Sequence, residues 1–95
     1  MTWVVRSVSV RGRHGLHARP AAVLAKTAKK FRCRVTVVSE SGSADGKSIV
    51  ELMTLGVAGG ARLTIAADGD DAEQAVEVLE TLLSGEAWGR EAAKG

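Results

Sequence analysis

Cysteine and proline occur once each in this chain of 95 residues, and tyrosine not at all. A lone cysteine, Cys33, excludes an internal disulfide framework. Aromatic residues are limited to Trp3, Phe31 and Trp88, so valine, leucine and alanine must fill whatever core forms. No apolar run approaches the eighteen or so residues that a membrane span requires, and the N-terminus has no signal-peptide apolar region. A protein with no membrane insertion, working in the cytoplasm, is expected. Charge of one sign is also missing: 13 lysines and arginines stand against 11 aspartates and glutamates, a formal charge of +2. Bulk charge therefore does not point to nucleic acid or a lipid surface. With only two histidines and one cysteine, no ligand spacing suggests a metal, and no phosphate-cradling loop, dinucleotide fingerprint or serine elbow suggests a cofactor or hydrolytic chemistry.

What is present is periodicity. Val4, Val8 and Val10 alternate with polar residues, which predicts a strand over residues 3–10 with one wet face. A polar loop, Arg11-Gly12-Arg13-His14-Gly15, follows. Ala21, Leu24, Ala25, Ala28 and Phe31 then form one helical stripe, predicting a helix over residues 18–30. Pro20 suits its first turn, where a missing N–H costs nothing. β-Branched residues over 33–38, the turn Ser39-Glu40-Ser41-Gly42 and residues 43–47 predict a second strand and a short third one in a hairpin. Ser48-Ile49-Val50-Glu51 matches a capping box at the start of a short helix over 48–55, which Gly56 ends. A fourth strand is predicted over 62–67, with Leu63 and Ile65 inward. Asp70-Asp71-Ala72-Glu73 reads as a second cap, opening a helix whose apolar stripe is Ala72, Ala75, Val76, Leu79, Leu82 and Leu83.

The order strand, helix, strand, strand, helix, strand, helix predicts an α+β fold, with three helices on one face of a mostly antiparallel four-stranded sheet. Residues 1–85 form the expected domain, and residues 86–95, without periodicity, an expected frayed tail carrying Trp88. A domain of this size can bury roughly 60 to 70% of its unfolded surface, enough for one core.

Candidate chemistry converges on Gly15-Leu16-His17-Ala18-Arg19-Pro20, where a loop turns into a helix. A helix N-terminus presents unpaired N–H groups and partial positive charge, a seat for an anion. A neutral imidazole is a nucleophile near neutral pH, since its ordinary pKa is about 6.5 and a helix N-terminus lowers it. His17 could thus carry a phosphoryl group, with the Ala18 amide and the Arg19 guanidinium donating to its oxygens. On the residues alone the plainer account is the favoured one: His17 only caps the helix and Arg19 only points into solvent, as charged and polar residues at a helix start commonly do.

Gly15-Leu16-His17-Ala18-Arg19-Pro20-Ala21 resembles the active-site motif of the HPr family, the histidine-containing phosphocarriers of the bacterial phosphoenolpyruvate-dependent phosphotransferase system. Gly46-Lys47-Ser48-Ile49 and Leu52-Met53-Thr54-Leu55-Gly56-Val57 are similar to the family's second-helix segment, at the family's distance from the histidine. The resemblance implies an open-faced β-sandwich with the element order read above. It implies that His17 accepts a phosphoryl group from phosphorylated enzyme I, on Nδ1, and passes it to enzyme IIA components of sugar uptake, with Arg19 assisting. It implies that Ser48 stands where, in some lineages, a kinase phosphorylates the carrier, a role compatible with helix capping. Ile49, Val50 and Met53 would lie near His17 as an apolar docking patch, with Leu52 and Leu55 in the core. The chain is expected to act as a monomer, as a carrier and not a stand-alone multiple-turnover catalyst, without metal or cofactor.

Glu51 departs from the pattern: relatives often have lysine or glycine there, and an acidic group near acidic partners bears on partner choice. His14 likewise stands where a small polar residue is frequent. A regulatory or nitrogen-type branch using the same histidine is the alternative function. A more distant one is a small nucleic-acid-binding domain using the basic cluster Lys26, Lys29, Lys30, Arg32 and Arg34, disfavoured because no aromatics interleave with those residues for base stacking.

Overall fold

The computed structural model describes residues 3–10, 18–55 and 62–84, with residues 18–20 as backbone only. The elements are β1 (Trp3–Ser9), α1 (Ala18–Ala28), β2 (Arg34–Ser39), β3 (Gly42–Asp45), α2 (Ile49–Thr54), β4 (Arg62–Asp68) and α3 (Ala72–Ser84). The expected α+β order is the observed one. The strands form a single sheet in the order β1-β4-β2-β3, antiparallel at every pairing.

Alternation along the strands separates two faces. Val8, Val35, Val37, Ala44, Leu63, Ile65 and Ala67 point inward and are buried, whereas Trp3, Val5 and Val38 are exposed on the open face. The helices supply the second layer: α3 packs on β1 and β4, α1 against α2 and α3, and α2 against β3. Leu24, Leu52, Leu63, Ile65, Leu79 and Leu83 are the largest fully buried side chains. None is aromatic, as the composition requires, and no polar or charged residue is buried among the described residues. Arg6 falls on the inward register of β1 between Val4 and Val8. It escapes burial by reaching Glu80 on α3 at 3.0 Å, a half-exposed pair of the kind that contributes at most about 1 kcal/mol.

Three local expectations need correction. The first helix ends at Ala28 and not near Lys30. The N–H groups of Lys30 and Phe31 donate to Thr27 and Ala28 carbonyls three residues back, both at 3.1 Å, which tightens the chain out of the α-helical ladder. Leu82 is only partly buried and packs on the edge of the core with Phe31. The third concerns the cap read over Asp70 to Glu73, where the residue that precedes α3 is Asp71. Its backbone carbonyl accepts the Ala75 N–H at 2.9 Å, as a residue preceding a helix should. Its side chain does not cap α3; it crosses to the connection between α1 and β2, where Arg32 N–H donates to Oδ2 and Cys33 N–H to Oδ1, both at 2.9 Å.

Gly69 makes that crossing possible. It sits at φ +146, and a Cβ there would lie 2.8 Å from Cys33 Cα, closer than carbon atoms tolerate, so only glycine lets the β4–α3 turn approach Cys33. The backbone N–H of Arg32 donating to Asp71, ahead of smaller contributions, holds that carboxyl below the usual carboxylate range. Burial, followed by the hydrogen bond and charge of Asp71, pushes the Cys33 thiol up. Cys33 is thereby a buried thiol kept protonated.

Candidate functional site

The site expected from the sequence has two parts, the loop-to-helix junction around His17 and the segment from Ser48 to Met53. His17 lies outside the described residues, as does His14. The helix following His17 is α1, which begins at Ala18; Arg19 and Pro20 therefore occupy its first turn, where proline is tolerated and first-turn N–H groups have no intrahelical acceptor. Arg19 is described as helix backbone only.

The second part is built around the start of α2. Asp45-Gly46-Lys47 forms a turn in which the Lys47 N–H donates to Asp45 Oδ1 at 2.9 Å and the Gly46 N–H to the Val35 carbonyl at 2.8 Å. Ser48 follows as N-cap, extended at φ −114 and ψ 113. Its Oγ accepts the Glu51 N–H at 3.2 Å, and its carbonyl accepts that of Leu52 at 3.0 Å. The reciprocal half of the capping box is absent. The Glu51 carboxylate accepts the N–H of Asp45 at 3.0 Å, while the Ser48 N–H donates to the Asp45 carbonyl at 3.0 Å. The turn competes successfully for the Ser48 donor, and Glu51 closes the loop one turn further back. The Glu51 carboxylate is thus partly committed to the chain's own backbone.

Along α2 the period of the helix divides the residues. Leu52 is buried, and Leu55 just beyond the last turn is 5% exposed, whereas Ile49, Val50 and Met53 are 38%, 74% and 46% exposed. Positions 49, 50 and 53 share one helical face, so α2 presents an apolar surface while its other side packs against α1 and β3. Two side chains anchor this helix in ways the sequence reading missed. Lys47 Nζ donates to the Phe31 carbonyl just beyond α1 at 2.7 Å, and Ser41 Oγ, at the hairpin tip, donates to the Leu55 carbonyl at 2.6 Å. The Asp45-Gly46 dipeptide was the available signal for the turn that precedes them; nothing local announced the long contacts themselves.

The basic cluster Lys26, Lys29, Lys30, Arg32 and Arg34 is exposed. Among the described residues no group of three or more metal-ligating side chains is gathered, and no helix is long and apolar enough to cross a membrane.

Comparison with known proteins places this geometry in context. A family model described as the PTS HPr component phosphorylation site matches residues 4–85. The chain is 46% identical over 78 residues to the phosphocarrier protein HPr of Haemophilus influenzae, covering 82% of this chain and 92% of that one. It is 43% identical over 79 residues to the multiphosphoryl transfer protein of the same organism, covering 80% of this chain but 16% of that much longer protein. Among solved structures, the phosphocarrier protein HPr of Bacillus anthracis superposes with a TM-score of 0.84 at 32% identity, over 88% of this chain and all of that one.

Proposed function

The chain belongs to the HPr family of phosphotransferase-system phosphocarriers, and on that footing we propose that His17 accepts a phosphoryl group from phosphorylated enzyme I and passes it to enzyme IIA components. The observation that carries the proposal is the family match across residues 4–85, with the motif Gly15 to Pro20 leading into a helix that starts at Ala18.

A neutral ring nitrogen, Nδ1 by family resemblance, supplies the electron pair. The bond from it to phosphorus forms as the bond from phosphorus to the donor breaks. The group on His17 then lies next to the N-terminus of α1, where the Ala18 N–H and the Arg19 guanidinium donate to its oxygens. An exposed helix terminus contributes about 0.3 to 1 kcal/mol, less than one decade in an equilibrium constant. That is enough to bias transfer and too little to trap the group, which suits a carrier that must release what it binds. Ile49, Val50 and Met53 supply an apolar surface on α2 for both partners in turn; a surface that small favours brief complexes.

Ser48 is the regulatory position in this reading. A phosphoryl group on its Oγ would sit at the start of α2, a favourable place for negative charge, but within reach of the Glu51 carboxylate. The functional unit is taken as residues 1–85 acting as a monomer in the cytoplasm, a compartment in which a single unpaired thiol is at home.

Mass spectrometry tests the proposal directly. After incubation with phosphoenolpyruvate and the cognate, active enzyme I, the intact mass should rise by about 80 Da, one acid-labile phosphoryl group, and His17→Ala should abolish the gain. An unmodified wild-type protein would refute it.

A further inference from the structure

The face of α3 turned away from the sheet carries a second stripe that the fold only partly covers. Gln74, Glu77, Val78, Thr81 and Leu82 recur at helical spacing beside the buried stripe. Together with Phe31, after the end of α1, they line a shallow groove of about 660 Å³. Val78 is 43% exposed, and Phe31 and Leu82 are only half covered. The groove is mainly apolar, and the phosphocarrier reading above gives it no task.

The chain itself supplies an occupant. Residues 85–95 follow α3 directly and include Trp88, the one large apolar residue of that stretch. We infer that Trp88 folds back along α3 and inserts into this groove against Phe31, Val78 and Leu82.

Reach permits it. Val78 is six residues before Ser84, roughly 9 Å along a helix, and Trp88 is four residues after it, a span of up to about 14 Å when extended. Gly85, the first residue after α3, is the type best able to reverse a chain leaving a helix. Charge does not decide the matter: Arg90 and Lys94 in the tail are balanced by Glu86 and Glu91, and of the glutamates on α3 Glu80 is already paired with Arg6. An indole also fits the lining chemically: its rings cover apolar surface, and its N–H can face the carboxylate of Glu77 or the Gln74 amide at the rim.

The experiment uses the full chain with Trp3→Phe, which leaves Trp88 as the sole tryptophan. Its emission should lie at shorter wavelength than in the denatured chain and resist quenching by acrylamide. Adding Val78→Asp should move the emission to the denatured position and open it to quencher. Emission in the native chain that matches the denatured one would overturn the inference. So would a short-wavelength emission that Val78→Asp leaves unchanged, which would seat Trp88 elsewhere, or one that requires high protein concentration, which would put a second copy's tryptophan in the groove. Should Val78→Asp fail to fold, nuclear Overhauser contacts between the Trp88 ring and the methyls of Val78 and Leu82 in the single-tryptophan chain decide the matter, and their absence counts against it.

Discussion

The Cys33 N–H donates to Asp71 Oδ1 at 2.9 Å across 38 residues of sequence. With the neighbouring bond from Arg32, it fastens the entry of α3 to the entry of β2. One carboxylate thus satisfies two backbone donors at a connection that has left its helix and not yet joined its strand. Asp71→Asn offers one acceptor oxygen where two are used, so its urea midpoint should fall at neutral pH with the slope of the transition unchanged. The sign with pH is fixed by the lowered native pKa. The contribution is fully present above the ordinary aspartate value of 3.8 and is lost as pH falls from there towards the depressed native value. The difference in midpoint between wild type and Asp71→Asn should therefore narrow in acid; a gap that persists there would show that charge is not what Asp71 contributes.

Ser48→Ala removes the acceptor for the Glu51 N–H from a helix of only six residues. Loss of an N-cap costs about 0.5 to 2 kcal/mol, measurable as a lower midpoint in denaturant. With Ser48 acting as a cap alone, phosphorylation of His17 by enzyme I should go on at a near wild-type level. A collapse of phosphorylation in a variant that folds would give Ser48 a part in the transfer itself.

The two faces of α2 should answer differently to substitution. Val50 is 74% exposed, so Val50→Glu should change stability by no more than about 0.5 kcal/mol while raising the concentration of carrier needed for half-maximal transfer. Leu52 is fully buried, and Leu52→Ala should cost about 2 to 5 kcal/mol. Calorimetry beside a transfer assay separates the two. Unaltered transfer by a folded Val50→Glu would remove this face from partner docking.

Arg19→Ala should leave the histidine able to accept a phosphoryl group but slow its passage. A charge-assisted hydrogen bond contributes about 1.5 to 3 kcal/mol, so the transfer rate should fall roughly ten- to hundredfold if that bond is made at the transition state. Arg19→Lys, which keeps the charge and loses the forked geometry, should lie between. Rapid-quench measurement of transfer to an enzyme IIA checks the order.

How much of this could be read from residues depends on the range of the interaction. The stripe of Ala21, Leu24, Ala25 and Ala28 and the alternation of Leu63, Ile65 and Ala67 are periodic within a few residues, and both faces were legible. The motif from Gly15 to Pro20 is likewise written in adjacent positions, but His17 lies outside the described residues. The cap read over Asp70 to Glu73 did not reveal the tie made by Asp71, because a capping motif is local, whereas that carboxylate follows a backbone brought near by the close approach of Gly69 to Cys33. Glu51 was misread for a related reason: two acceptors competed for the Ser48 donor, and only the geometry of the Asp45 turn decides between them. The Lys47 tie to Phe31 joins segments whose proximity no period encodes, and the same holds for the strand order.

That order governs when the protein can exist at all. β4 lies between β1 and β2 and hydrogen-bonds to both, although it is the last of the described strands. During synthesis, β1 therefore has no sheet partner until residues 62–68 have left the ribosome. The loop and helix that follow β1 wait with it. A nascent chain displays the whole proposed acceptor motif long before it has a platform to hold it, and a ribosome stalled midway would release a fragment with the histidine but without its support. On the proposed reading, a chain that has not yet emerged as far as β4 cannot enter the relay.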